Sequence, residues 1–134
     1  MKRVLYHALF LTIIFACLAG TALAQTSEKP EWTTCFKAHD RNSDGKIDRG
    51  EYKEWMTEVF FHRDRNHKGY LVFEDVRDVM SPETFKAADA NGEGKLTLQE
   101  FLGAVSQDFD AADLNKDGVL TEEEMDAYVK RPGK

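Results

Sequence analysis

Cysteine is almost absent: the 134 residues hold two, Cys17 and Cys35, so no disulfide framework braces the chain. Sulfur and imidazole chemistry is also missing as pattern. No C-x-x-C, H-E-x-x-H or G-x-S-x-G occurs, and His7, His39, His62 and His67 fall at no metal-ligand spacing. Cys35, near Trp32 and Phe36, reads as a small apolar residue on a buried helix face, and His39, His62 and His67 read as surface polarity. No set of nucleophile, base and orienter emerges, so the sequence does not read as an enzyme. Basic charge is scarce too. Lys and Arg number 18 against 24 Asp and Glu, a formal net charge of -6. Residues 1–24 hold Lys2 and Arg3 and no acid, and without them the balance is 16 against 24, or -8. Such acidity argues against nucleic acid and toward cations as partners. The length and the 42% hydrophobic content suffice for one small domain with a modest core.

The N-terminus has the three-part layout of a secretory signal peptide: "MKR", an apolar run from Val4 interrupted only by His7, and "TALA" before Gln25. Cleavage is expected after Ala24, which makes the mature protein secreted or periplasmic and removes Cys17. A membrane enters only if this segment is kept as an anchor, for which Val4–Ala24 is long enough, or if Cys17 is lipidated.

What the chain does have is a repeat. Asp40, Asp64, Asp89 and Asp113 follow one another at 24, 25 and 24 residues, each with Asn two positions on and Gly five positions on. Phe36, Phe60, Phe85 and Phe109 each precede the Asp by four. Ile47, Leu71, Leu96 and Leu120 hold the eighth place of each segment, and Tyr52, Val76, Phe101 and Met125 the thirteenth. An apolar residue one helical turn before and just after a polar turn is what helix packing on either side requires.

These segments resemble the calcium loops of the EF-hand family, D-x-[DN]-x-[DN]-G-x5-E, over nearly all of residues 32–130. The resemblance implies an all-α fold of helix–loop–helix repeats with small β-bridges between loops, and Ca2+ held by six to eight oxygens. In "DRNSDGKIDRGE" it implies the side chains of Asp40, Asn42 and Asp44, the carbonyl of Lys46, Asp48 through a water, and both oxygens of Glu51. In "DANGEGKLTLQE" it implies Asp89, Asn91, Glu93, the carbonyl of Lys95 and Glu100. In "DLNKDGVLTEEE" it implies Asp113, Asn115, Asp117, the carbonyl of Val119 and Glu124, with Thr97 and Thr121 at the ninth positions.

The fourth copy, "DRNHKGYLVFED", puts Lys68 at the fifth place and Asp75 at the twelfth, so two ligands are compromised and three bound ions are expected. Leu71 keeps the apolar centre through which such loops pair, which makes this segment a structural partner, expected for the loop Asp40–Glu51. Ser81 and Pro82 read as the cap and first position of a helix and mark a seam. The expected organisation is a 25–31 linker, a first loop pair in 32–80, a second in 81–130, and a tail at 131–134. Residues 52–63 contain no Gly or Pro and read as one amphipathic helix of about 18 Å. Function is expected to be calcium holding, structural or buffering. The alternative is a sensor that docks an unidentified protein partner through an apolar helix face.

Overall fold

The computed structural model describes residues 32–130. The described residues form six helices and four short strands in the order α1 (Trp32–His39), β1 (Lys46–Asp48), α2 (Arg49–Arg63), β2 (Tyr70–Leu71), α3 (Phe73–Val76), α4 (Pro82–Ala88), β3 (Leu96–Thr97), α5 (Leu98–Ala112), β4 (Val119–Thr121) and α6 (Glu122–Val129). We number the intervening loops I to IV from their opening residues Asp40, Asp64, Asp89 and Asp113. The fold is all-α with small antiparallel bridges.

The repeat explains where helices stop and start. Each opening Asp donates its backbone N–H to the carbonyl of the Phe four residues earlier, at 3.0, 2.9, 2.9 and 2.8 Å, so the last helical bond ends on that Phe. Helices α2, α5 and α6 begin with capping boxes, Asp48 with Glu51, Thr97 with Glu100, and Thr121 with Glu124. Ser81 accepts the Thr84 N–H and Pro82 opens α4, as the sequence implies, leaving the four-residue α3 as a stub before it. Gly103 and Ser106 do not interrupt α5.

Loop pairing differs from the expected division into 32–80 and 81–130. Strand β1 pairs with β4, with Ile47 opposite Leu120, and β2 pairs with β3, with Leu71 opposite Leu96. Loop I therefore partners loop IV, and loop II partners loop III rather than loop I. The cause is helix sharing. Helix α2 is both the exit of loop I and the approach to loop II, and its 15 residues hold the two loops about 22 Å apart. Helix α5 separates loops III and IV in the same way. The two long helices lie antiparallel, with Tyr52 against Phe109 at 5.2 Å between ring centroids and Phe60 against Phe101 at 5.7 Å. Arg49 pairs with Asp110 and lies over the Phe109 ring at the same end. Antiparallel packing brings the first and last loops to one end of the molecule and the middle two to the other.

The core is the repeat seen from inside. Phe36, Phe60 and Phe109 are buried with Phe85, and the four eighth-place residues Ile47, Leu71, Leu96 and Leu120 have no exposed surface. Tyr52, Val76, Phe101 and Met125 close over them. Each full burial of such a side chain contributes about 1.5–3 kcal/mol. Cys35 is buried in α1, as expected. His39 is not surface polarity: its ring stacks on Trp55 at 4.6 Å, and Nδ1 donates to the Cys35 carbonyl at 2.8 Å. His62 and His67 are exposed. Among the described residues no helix is long and apolar enough to cross a membrane. The expectations for residues 1–24, the 25–31 linker and the 131–134 tail lie outside the described residues.

Candidate metal sites

Loops I and IV share one hydrogen-bond plan. The opening carboxylate, Asp40 or Asp113, accepts from the N–H of the fifth and sixth residues: Asp44 and Gly45 at 3.1 and 2.9 Å, and Asp117 and Gly118 at 3.2 and 3.0 Å. The side-chain oxygens of Asn42 and Asn115 accept the fifth-residue N–H, at 2.8 and 2.9 Å. Asp44 and Asp117 in turn accept the N–H of Lys46 and Val119, which begin β1 and β4. The twelfth-place glutamate closes the ring. One oxygen of Glu51 accepts from Arg41 and Asn42 and the other from Asp48; Glu124 does the same with Leu114, Asn115 and Thr121.

The turn itself depends on backbone conformation. Gly45 has φ +80°, and a Cβ there would meet nothing within 4 Å, so conformation rather than space requires glycine. Asp48 caps α2 with its carboxylate, which places it beside the closing Glu51. Ninth and twelfth positions thus serve twice, starting the next helix and aiming its first carboxylate back at the loop.

Loop III follows the plan less completely. Asp89 accepts from Glu93 and Gly94 at 3.1 and 2.7 Å, and Asn91 accepts from Glu93 at 3.0 Å. Glu93, one methylene longer than Asp44 or Asp117, makes no bond to the Lys95 N–H among the described residues. Glu100 is tied mainly to Thr97, whose N–H and hydroxyl donate at 3.0 and 2.8 Å. Those bonds hold its carboxyl below the usual range, with Ala90 adding the least. Glu51 and Glu124 are buried, whereas Glu100 is half-buried, so the closing glutamate of loop III is the least enclosed of the three.

Among the described residues no group of three or more His, Cys, Asp or Glu side chains is gathered as if around an ion. The loop carboxylates point instead at the loop's own N–H dipoles, which orient the oxygens. The donor chemistry fits a hard dication: each of loops I, III and IV supplies only oxygens, with a carboxylate at both ends and a glycine turn between.

Loop II keeps the opening half of the plan and replaces the closing half. Asp64 accepts from Lys68 and Gly69 N–H at 2.9 and 2.7 Å. At the far side the Lys68 ammonium donates to Asp75 Oδ2 at 2.8 Å, and the Val72 N–H reaches the same oxygen at 3.0 Å. Burial would raise the Asp75 carboxyl, but the bonds from Lys68 and Val72 and the charges of Lys68 and Arg65 hold it below its ordinary value. The bond to Asp75 raises Lys68, against burial.

Two features escaped the reading of the sequence. Asp108, on the buried face of α5, has no exposed surface; Tyr128 donates to its Oδ1 at 3.4 Å, and its Oδ2 has no hydrogen-bond partner among the described residues. Burial pushes its pKa up to about 8 despite the Tyr128 bond. Burial and then the Asp108 charge raise the Tyr52 hydroxyl well above its usual value. An acid on the apolar stripe of Phe101, Ala104, Val105 and Ala112 was the available signal. The second is a groove of about 340 Å³ between α2 and α5, lined by Arg49, Tyr52, Leu102, Val105 and Phe109 among others. It exists only once the two helices are packed.

Shared helices, bridged loops and oxygen-only loop donors define a helix–loop–helix calcium-binding protein. A family model described as an EF-hand domain pair matches residues 29–106 and another, described as EF hand, matches residues 107–129. The chain belongs to the EF-hand family, and it binds Ca2+. It is similar to the mitochondrial adenyl nucleotide antiporter SLC25A24 of Homo sapiens, 31% identical over 101 residues, covering 61% of this chain and 21% of that protein. It is 32% identical over 85 residues to guanylyl cyclase-activating protein 2 of Lithobates pipiens, covering 60% of this chain and 41% of the activator. The probable calcium-binding protein CML29 of Arabidopsis thaliana is 30% identical over 79 residues, which cover 59% of this chain and 78% of that protein. The chain thus spans less than half the length of the antiporter and the activator.

Proposed function

We propose that this chain is an exported protein that holds three calcium ions, in loops I, III and IV, as a structural or buffering module. The observation that carries it is the contrast between loops: three present oxygen donors at every ligand position, while in loop II an ammonium already pairs with the twelfth-place carboxylate. The ions would be held by Asp40, Asn42, Asp44, the Lys46 carbonyl, Asp48 through water and Glu51; by Asp89, Asn91, Glu93, the Lys95 carbonyl and Glu100; and by Asp113, Asn115, Asp117, the Val119 carbonyl and Glu124. Extracytoplasmic calcium suits sites of about 10⁻⁴ to 10⁻³ M, and the export reading rests on the N-terminal signal pattern. No catalytic set is proposed.

Protein recovered outside the cytoplasm should begin at Gln25 by N-terminal sequencing and take up three ions in a calorimetric calcium titration. Replacing Glu51, Glu100 or Glu124 with Gln should each remove about one ion. Four ions in the unmodified protein, or unchanged uptake in the triple variant, would refute the site assignment; a retained Met1 or a lipidated Cys17 would refute soluble export. The α2–α5 groove favours a second reading, a calcium-dependent dock for a protein partner. A rise in hydrophobic-dye binding on calcium addition supports that reading, and no change opposes it.

A further inference from the structure

We infer that Lys68 is a built-in cation for loop II, bridging its fifth and twelfth positions so that this loop stays closed without an ion and holds its strand in place for loop III. The inference deepens the three-ion reading and rests on it for the affinity of loop III.

The two departures from the loop pattern compensate in length. Elsewhere a short or medium side chain at the fifth place faces a long glutamate at the twelfth, and a dication would join them. In loop II the long arm is the lysine and the short one is Asp75, and the two meet at 2.8 Å. Side-chain exposures of 23% and 15% leave the pair partly shielded from water, so it is screened less than a fully exposed ion pair. The ammonium also offsets the carboxylates at both ends of the loop, Asp64 and Asp75. The turn survives, with Gly69 at φ +79° and Asp64 gripping the Lys68 and Gly69 N–H groups. The product of this closure is β2, which pairs Tyr70 with Thr97 and Leu71 with Leu96. Tyr70 carries the link further, since its ring lies 5.5 Å from the Lys68 ammonium and 4.8 Å from that of Lys95. Loop III is the one whose own closing glutamate is least enclosed, and it faces the one loop that needs no ion. Lys68 is therefore a positioning residue: ordering β2 in advance lowers the entropy that calcium must overcome to order β3.

The test uses full-length protein carrying Glu51→Gln and Glu124→Gln, so that loop III alone binds calcium. Lys68→Met, which keeps the arm and removes the charge, should weaken that binding about tenfold, within the usual range of coupling between sites. Lys68→Arg should restore most of it. In calcium-free protein the amides that bridge β2 and β3 should exchange slowly with Lys or Arg at 68 and quickly with Met. If the background protein binds no calcium, the assignment of loop III fails, and amide exchange still decides the role of Lys68. If calcium binds with equal affinity in Lys68→Met, or if amide exchange is the same in all three proteins, the inference about Lys68 is overturned.

Discussion

Asp108 shows how one residue outside the loops can set a pH dependence. Its carboxyl is buried among Tyr52, Tyr128 and the apolar face of α5, and its pKa of about 8 lies well above the 3.8 of an exposed aspartate. A group that binds its proton more tightly when folded favours the folded state below its unfolded pKa. That contribution is lost as pH rises from about 4 through about 8. Asp108→Asn keeps an oxygen for the Tyr128 hydroxyl and cannot ionise. The variant should match the parent near pH 4 and melt about 5 °C or more higher at pH 8. Thermal unfolding of both proteins in chelator across this range checks the prediction, and parallel curves would show that Asp108 is not the titrating group. The position was legible in part, as an acid on an apolar stripe. Its effect was not, because desolvation depends on α2 and α6 closing over it.

Among elements, the short strands join the loops in pairs. Each pairs through one fully buried apolar residue, and truncating such a residue to Ala typically costs about 2–5 kcal/mol. Cross-pairing makes the consequences specific. Leu71→Ala should weaken calcium binding at loop III and leave loop I near its original affinity, whereas Ile47→Ala should weaken loop IV. Titrations in backgrounds with a single competent loop distinguish these outcomes. A loss at loop I from Leu71→Ala would restore the consecutive pairing expected from the seam at Ser81 and Pro82. The spacing, with intervals of 12 or 13 residues between loops, leaves no room for two average helices. It was silent on partners, because strands of two or three residues carry no register information of their own.

The whole molecule is an acidic chain with a carboxylate at both ends of each loop. Calcium that binds only the folded arrangement stabilises it by about 2.7 kcal/mol for each site at one hundred times its dissociation constant. Saturating calcium should therefore raise the melting temperature by more than about 10 °C, reversibly on chelation. A shift that persists after Glu51, Glu100 and Glu124 are all replaced by Gln would locate the stabilising ions elsewhere. Because loops I and IV share one end and II and III the other, each long helix joins the two ends, and calcium at either should protect both from proteolysis.

The sequence by itself determined the four frames, the residue at each loop position, the glycine turns and the departures of loop II from the pattern, since all are local and depend on spacing along the chain. It also determined the helix caps, which are written into the same positions. Which loops meet, how His39 stacks on Trp55 and Asp108 is buried, and that Lys68 reaches Asp75 were decided only by the tertiary structure. Antiparallel packing of α2 and α5 brings together loops that are distant in sequence, and burial and charge pairing follow from that packing.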